Sequence, residues 1–242
     1  MFARRLVLLT TSAVALAVPA AAAEAATYCV DKPACSGLDT TFGGALSNAA
    51  ASADNDRIEI GETTIPAALH LYDPGIDAGN LEIVGVGSTK SLFLNKPGVE
   101  QPTLRILRGP GGNSMRIASI GMRMTGPDAA WVSRGIRTGA VVEDVAITTT
   151  APQPGKMLGI ELDAGGVLRD STIKLESTVQ THDGRIGVFV QSPGTVVERS
   201  TVDAVTGVLA SDDMRITRTG LFARGGYGVL GCKSAVRMDN SL

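Results

Sequence analysis

The side chains best equipped to do chemistry are carboxylates and arginines in the second half of the chain. Glu161 and Asp163 stand two residues apart, Asp212 and Asp213 are adjacent, and Arg137 lies about one repeat upstream of Glu161. Paired carboxylates can divide general-acid and general-base roles or hold a divalent cation, and an arginine beside them can grip an anionic group. Either use requires the acids to gather on neighbouring elements. The outward positions of successive repeats are held by Arg137, Glu161, Phe189, Leu209 and Leu230, with Asp163 and Asp212-Asp213 in the adjoining turns. One base, one acid and three apolar residues do not make a calcium cradle. Asp212-Asp213 also fits a solvated turn, and Asp144, Asp170, Asp239 and Asn240 fit the role of backbone caps at tight bends. The candidates are therefore Asp212 and Asp213 for catalysis and Arg137, Glu161 and Asp163 for binding, with no metal site. The two histidines, His70 and His182, lie elsewhere. Gly85-Val86-Gly87 is followed by no helix and is not a dinucleotide fingerprint.

The elements that must position these residues repeat. A seven-residue unit, Val141-Val142-Glu143-Asp144-Val145-Ala146-Ile147, reads as a strand, a polar bend and a second strand. It recurs at Val167 to Ile173 and Val196 to Val202, and more weakly at Arg116 to Met122, Arg215 to Leu221 and Val236 to Leu242. The bends at Ser119, Asp144, Asp170, Arg199, Arg218 and Asp239 are spaced 25, 26, 29, 19 and 21 residues apart. A second landmark keeps step: Gly135-Ile136, Gly159-Ile160, Gly187-Val188, Gly207-Val208 and Gly228-Val229. There the glycine is expected to let the chain turn into a strand whose aliphatic residue points inward. Each coil then offers three short strands, and stacking like on like satisfies the backbone and aligns aliphatic columns. No helical crossover is visible, which excludes a doubly wound α/β fold. The longer polar insertions, Pro127 to Ser133, Ala151 to Lys156 and Glu176 to Arg185, leave one side of the solenoid and are expected to frame its working face.

The first residues stand apart. Met1 to Arg5 is basic, Leu6 to Val18 is apolar and Pro19 to Ala26 is rich in small residues, the pattern of a secretory signal peptide. Cleavage is expected after Ala23 or Ala25, each preceded by alanine two residues earlier. The apolar run is short for a bilayer span, so no membrane association is expected after cleavage. Loss of Arg4, Arg5 and Glu24 takes 22 basic and 24 acidic residues to 20 and 23, a net charge of −3. That near-balance suggests neither nucleic acid nor an anionic membrane as partner. Cys29 and Cys35, flanking a five-residue loop that contains Pro33, are expected to form a disulfide in an oxidising compartment, and Cys232 is left over. Phe42, Ala45, Leu46 and Ala49 share one helical face, with Asp39 or Thr40 available as N-cap, so a short helix is expected to cover the open end of the first coil.

Cys35, the capping segment, Asp56-Arg57-Ile58-Glu59-Ile60-Gly61 and Leu81-Glu82-Ile83-Val84-Gly85-Val86-Gly87 resemble the opening coils of secreted bacterial β-helix proteins of the pectin-lyase-like superfamily. Ser114 to Thr125 is similar to the next coil, and the resemblance covers roughly residues 29 to 242. It implies an all-β, right-handed parallel β-helix, a three-strand solenoid with a short N-terminal capping helix. Because Leu242 falls at the place of Ile147 and Ile173 with no capping segment after it, an uncapped C-terminal end is expected. The corresponding division is residues 1–25 as signal peptide, 26–55 as disulfide loop and N-terminal cap, and 56–242 as a β-helix incomplete at its C-terminus. Enzymes of that superfamily cut acidic polysaccharides, as calcium-dependent lyases or as hydrolases with several aspartates. Asp212-Asp213 and Thr181-His182-Asp183-Gly184 are similar to hydrolase motifs, but Gly-His-Gly and Arg-x-Lys are missing. The resulting expectation is a secreted, non-catalytic extracellular or cell-surface scaffold that binds polysaccharide, without a cofactor. A polysaccharide lyase or glycoside hydrolase is the alternative, calcium entering only with the lyase. Self-association through the open C-terminal end is a further expectation.

Overall fold

In the computed structural model, the structure describes residues 25–75, 78–95, 101–109, 111–125, 132–150, 155–163, 165–176, 184–232 and 234–242. Among these, three all-parallel sheets interleave so that, from Asp56–Ile60 onward, every third strand along the chain joins the same sheet. Sheet A runs Leu38–Asp39, Thr27–Val30, Asp56–Ile60, Leu81–Gly85, Met115–Ala118, Val141–Glu143, Val167–Arg169, Thr195–Glu198, Met214–Thr217 and Val236–Asp239. Sheet B begins at Thr63–Ile65 and ends at Gly220–Ala223, and sheet C begins at His70–Tyr72 and ends at Val229–Gly231. This is a three-sided parallel β-helix.

Period-two alternation sends one column from each sheet into the core. In sheet A the column is Tyr28, Ile58, Ile83, Ile117, Val142, Leu168, Val197 and Ile216. Sheet B contributes Ile65, Phe93, Met122, Ile147, Ile173 and Val202, of which Ile147, Ile173 and Val202 are 0% exposed. Sheet C contributes Leu104, Ile136, Ile160, Val188 and Val208. Each fully buried side chain of this size contributes roughly 1.5–3 kcal/mol.

The bend between sheets A and B has one backbone solution. Ser119, Asp144, Asp170, Arg199, Arg218 and Asn240 all adopt left-handed φ values of 46° to 55°. The last of these is a correction, because pairing of Thr217 with Asp239 places Asn240, not Asp239, opposite Arg218. Leu242 consequently aligns with Ala146 and Thr172 rather than with Ile147 and Ile173; its N–H donates to Thr219 O as the Ala146 N–H does to Ile120 O. Immediately after the bend, hydroxyls stack: Val145 N–H donates to Ser171 Oγ, Ser171 N–H to Ser200 Oγ and Thr219 N–H to Ser241 Oγ. Each hydroxyl donates to the carbonyl two residues back, so buried polar groups of one coil are met by the next.

The glycine column before the sheet C aliphatics has a different cause from the one expected. Those glycines do not have positive φ. A Cβ on Gly187 would stand 2.3 Å from Val202 Cγ1, and one on Gly207 would stand 2.6 Å from Gly228 O. Close packing against the interior and the next coil, rather than turning, requires Gly135, Gly159, Gly187 and Gly207, whereas Gly228 has open space around it.

At the N-terminal end the helix Phe42–Ala50 lays Phe42, Ala45, Leu46 and Ala49 over the first coil. Its N-cap is Thr41, whose side chain accepts the Gly44 N–H, not Asp39 or Thr40. Cys29 and Cys35 are bridged with Cα atoms 5.9 Å apart. Cys29 lies in Thr27–Val30, a strand of sheet A that pairs with Asp56–Ile60. At the other end Leu221, Val229 and Val236 are only partly buried, and Phe222 and Met238 are 56% and 46% exposed. Among the described residues no helix is long and apolar enough to cross a membrane. The leader and most of the three polar insertions lie outside the described residues, as does Thr181-His182-Asp183.

Candidate functional site

On sheet C, burying Leu104, Ile136 and Ile160 turns the residue after each of them outward. Register then places Arg105, Arg137, Glu161, Phe189, Leu209 and Leu230 in one outer column. Three of the five binding and catalytic candidates meet there. Arg137 Nε donates to Asp163 Oδ2 at 2.7 Å and lies 3.2 Å from Glu161 Oε1. Arg137 Nη2 donates to Gln191 Oε1 at 3.3 Å, and Arg134 Nη1 reaches Glu161 Oε2 at 3.5 Å.

Glu161 is the unusual member, 1% exposed although it belongs to the outer column. Burial pushes its carboxyl above the usual glutamate range; Arg137, Arg134 and Arg105 pull it back and Asp163 adds to the rise. Its Oε1 accepts no hydrogen bond, because Arg137 Nε is directed at Asp163. The buried Nε atoms of Arg105 and Arg134 likewise make no hydrogen bond. Three guanidinium groups and two carboxylates thus share a face with hydrogen-bonding capacity left over. Such a set can receive a carboxylate or another anion, and Glu161 can carry a proton above the ordinary carboxylate range. Beyond it, the half-buried Phe189, Leu209 and Leu230 continue the column as an apolar strip.

Asp212 and Asp213 serve their own turn. Asp213 N–H donates to Asp212 Oδ1 at 2.8 Å, and Asp213 Oδ1 accepts the Ala235 N–H at 2.7 Å. Neither shares a hydrogen bond or ion pair with the sheet C cluster among the described residues. Nor do three His, Cys, Asp or Glu side chains gather anywhere among the described residues as a metal site would require. His70 packs edge-on against Phe42 and Phe93, with ring centroids 5.0 and 6.0 Å away, and burial pulls its pKa down. Cys232 follows the strand Val229–Gly231 as an exposed free thiol.

Sequence reasoning missed Arg105 and Arg134. The coil of Arg105 lacks the glycine landmark, although Leu104-Arg105 matches Ile136-Arg137 as an aliphatic-arginine pair. Arg134 precedes Gly135, where the outward alternation breaks. A buried cation was missed too: Arg185 is 0% exposed, donates to Met157 Sδ, and is drawn down to about 10 by burial.

A second charged feature runs along the outside of sheet A. Lys32 bonds Glu59 at 2.6 Å, Arg57 joins Glu59 to Glu82, and Arg116 joins Glu82 to Glu143, which Arg169 also holds. Hydrogen bonds from Lys32 and Arg57 hold Glu59 below the usual range. Burial acts to raise Glu143, but Arg116 and Arg169 outweigh it and the net shift is downward.

Comparison with family models, with curated proteins and with solved structures finds no match to the chain.

Proposed function

We propose that the protein is a secreted, non-catalytic β-helix that serves as an extracellular or cell-surface scaffold and holds an acidic polysaccharide against the outer face of sheet C. One observation carries this reading: Arg105, Arg134 and Arg137 converge on that face, and the side chains of Arg134 and Arg137 remain 32% and 28% exposed there. Guanidinium forks suit the carboxylates of an acidic glycan. The strip of Phe189, Leu209 and Leu230 suits the apolar faces of its rings. The leader pattern and the Cys29–Cys35 bridge support export. The engagement of Asp212 and Asp213 with backbone N–H groups supports a structural role for them.

The test is retention of the purified protein on immobilised polygalacturonate and alginate against a neutral glucan, at rising salt, with ultraviolet absorbance followed for unsaturated product with and without calcium. Retention of the acidic polymers without product is the expected result; equal behaviour on all three polymers sinks the proposal.

A second reading, a pectin-lyase-like polysaccharide lyase or glycoside hydrolase, is favoured by Glu161, whose raised proton affinity suits a general acid. Glu161→Gln separates the two. As a catalyst's variant it loses product formation; as a scaffold's variant it retains the glycan.

A further inference from the structure

Asp56 opens the strand Asp56–Ile60 and is 3% exposed. Its Oδ1 accepts the backbone N–H of Ala26 at 3.1 Å, while Oδ2 is withdrawn from water and accepts nothing. Ser52 Oγ is close by but turns to Asp54 Oδ2 at 3.3 Å. Burial pushes the Asp56 carboxyl up, against the Ala26 N–H and Ser52, and Asp54 adds to the rise. The other titratable groups that feel its charge are the phenols of Tyr28 and Tyr72. No cation is among these neighbours, and a buried carboxylate without one is costly.

The nitrogen already at hand is a special one. Ala25-Ala26 follows Ala23-Glu24, so small residues occupy the last and third-last places before that bond, as a signal peptidase requires. A peptide nitrogen offers Asp56 one N–H; the same nitrogen as a free terminus offers three donors and a positive charge. We infer that processing cuts between Ala25 and Ala26, and that the new α-ammonium of Ala26 docks on both oxygens of Asp56 and locks the first coil.

Hydrolysis adds one water across the amide. The released leader keeps Ala25 as its carboxylate, and the Ala26 amine takes up the proton as ammonium. The ammonium has room, because a pocket of about 440 Å³ opens beside Ala25, Ala26, Asn55 and Asp56. It is also held in place: Arg57 N–H donates to Ala26 O at 2.9 Å, and Thr27–Val30 pairs in parallel with Arg57–Ile60. A cut after Ala23 would carry the charge two residues away and leave Oδ2 unanswered.

The choice of bond rests on the secretion reading, whereas the ion pair rests on geometry alone, so the two are tested separately. Terminal sequencing of protein recovered from the medium is expected to begin Ala26-Thr27-Tyr28. A start at Glu24 overturns the choice of bond, and a chain kept inside cells with its leader overturns secretion. For the ion pair, the chain is made without a leader and released from a fusion to begin at Ala26 or at Glu24. The Ala26 start is expected to melt roughly 4 °C or more above the Glu24 start. Asp56→Asn, or acetylation of the Ala26 amine should that variant not fold, is expected to erase the difference. Equal melting of the two starts, or no effect of acetylation, overturns the ion pair.

Discussion

The outer faces of sheets A and C are built from the same residue types and treat them in opposite ways. On sheet A, acid and base alternate from Lys32 to Arg169, and each carboxylate stands between cations. Arg116 and Glu143 remain 40% and 16% exposed, so water shares the stabilisation. On sheet C, Glu161 is 1% exposed among three arginines, and neither it nor Arg105 and Arg134 use all their hydrogen-bonding capacity. A ladder whose charges answer one another holds coils in register. A cluster with capacity left over is suited to a ligand. The proton affinities follow the same division, with Glu59 and Glu143 below the usual glutamate range and Glu161 above it.

The largest contrast is expected from removing one arginine on each face. Arg137→Ala strips the buried Glu161 of its nearest cation and should cost about 2 kcal/mol in urea unfolding. The figure is below the full cost of breaking a buried pair because Arg137 is itself 28% exposed. Arg116→Ala on sheet A should cost under about 1 kcal/mol. Equal costs would erase the distinction between ladder and cluster.

Acid sharpens it further. Glu161 takes its proton above the usual glutamate range, so the sheet C face becomes more cationic as pH falls from neutrality. Binding of polygalacturonate, still largely ionised, should tighten roughly threefold by about pH 5. Glu161→Gln should bind with a flat profile over the same range.

The smallest effect concerns sheet A. Because the folded proton affinity of Glu143 is lowered, its stabilisation is present above the unfolded glutamate pKa and lost as pH falls through the folded one. Glu143→Gln should flatten the acid limb of the stability curve by about 0.5 kcal/mol or less. An unchanged acid limb would remove the ladder from the account of stability.

The inner columns were legible because burial imposes a strict alternation and the coils repeat it: Ile147, Ile173 and Val202 could be aligned by eye. Arg137 and Glu161 were legible for a related reason, since both follow a glycine and an aliphatic residue at the same offset. Arg105 was not, because Thr103 replaces the glycine in its coil. The sheet A ladder was hidden by unequal coil lengths, since 25 residues separate Arg57 from Glu82 but 34 separate Glu82 from Arg116. The one-residue slip at Asn240 has a similar origin. Close to a weak repeat, only strand pairing decides which residue bends.

From its sequence alone this chain is committed to three strands per coil, an apolar interior, a helix over the first coil and a Cys29–Cys35 bridge. Those features depend on local patterning and on contacts that each coil repeats with its neighbours. Only the tertiary structure decided which outward charges meet, that Glu161 is shut away from water among arginines, and that Ala26 stands over the half-satisfied carboxylate of Asp56. Such meetings depend on the register of stacked strands across insertions of different length, and on a burial that no single coil carries in its own residues.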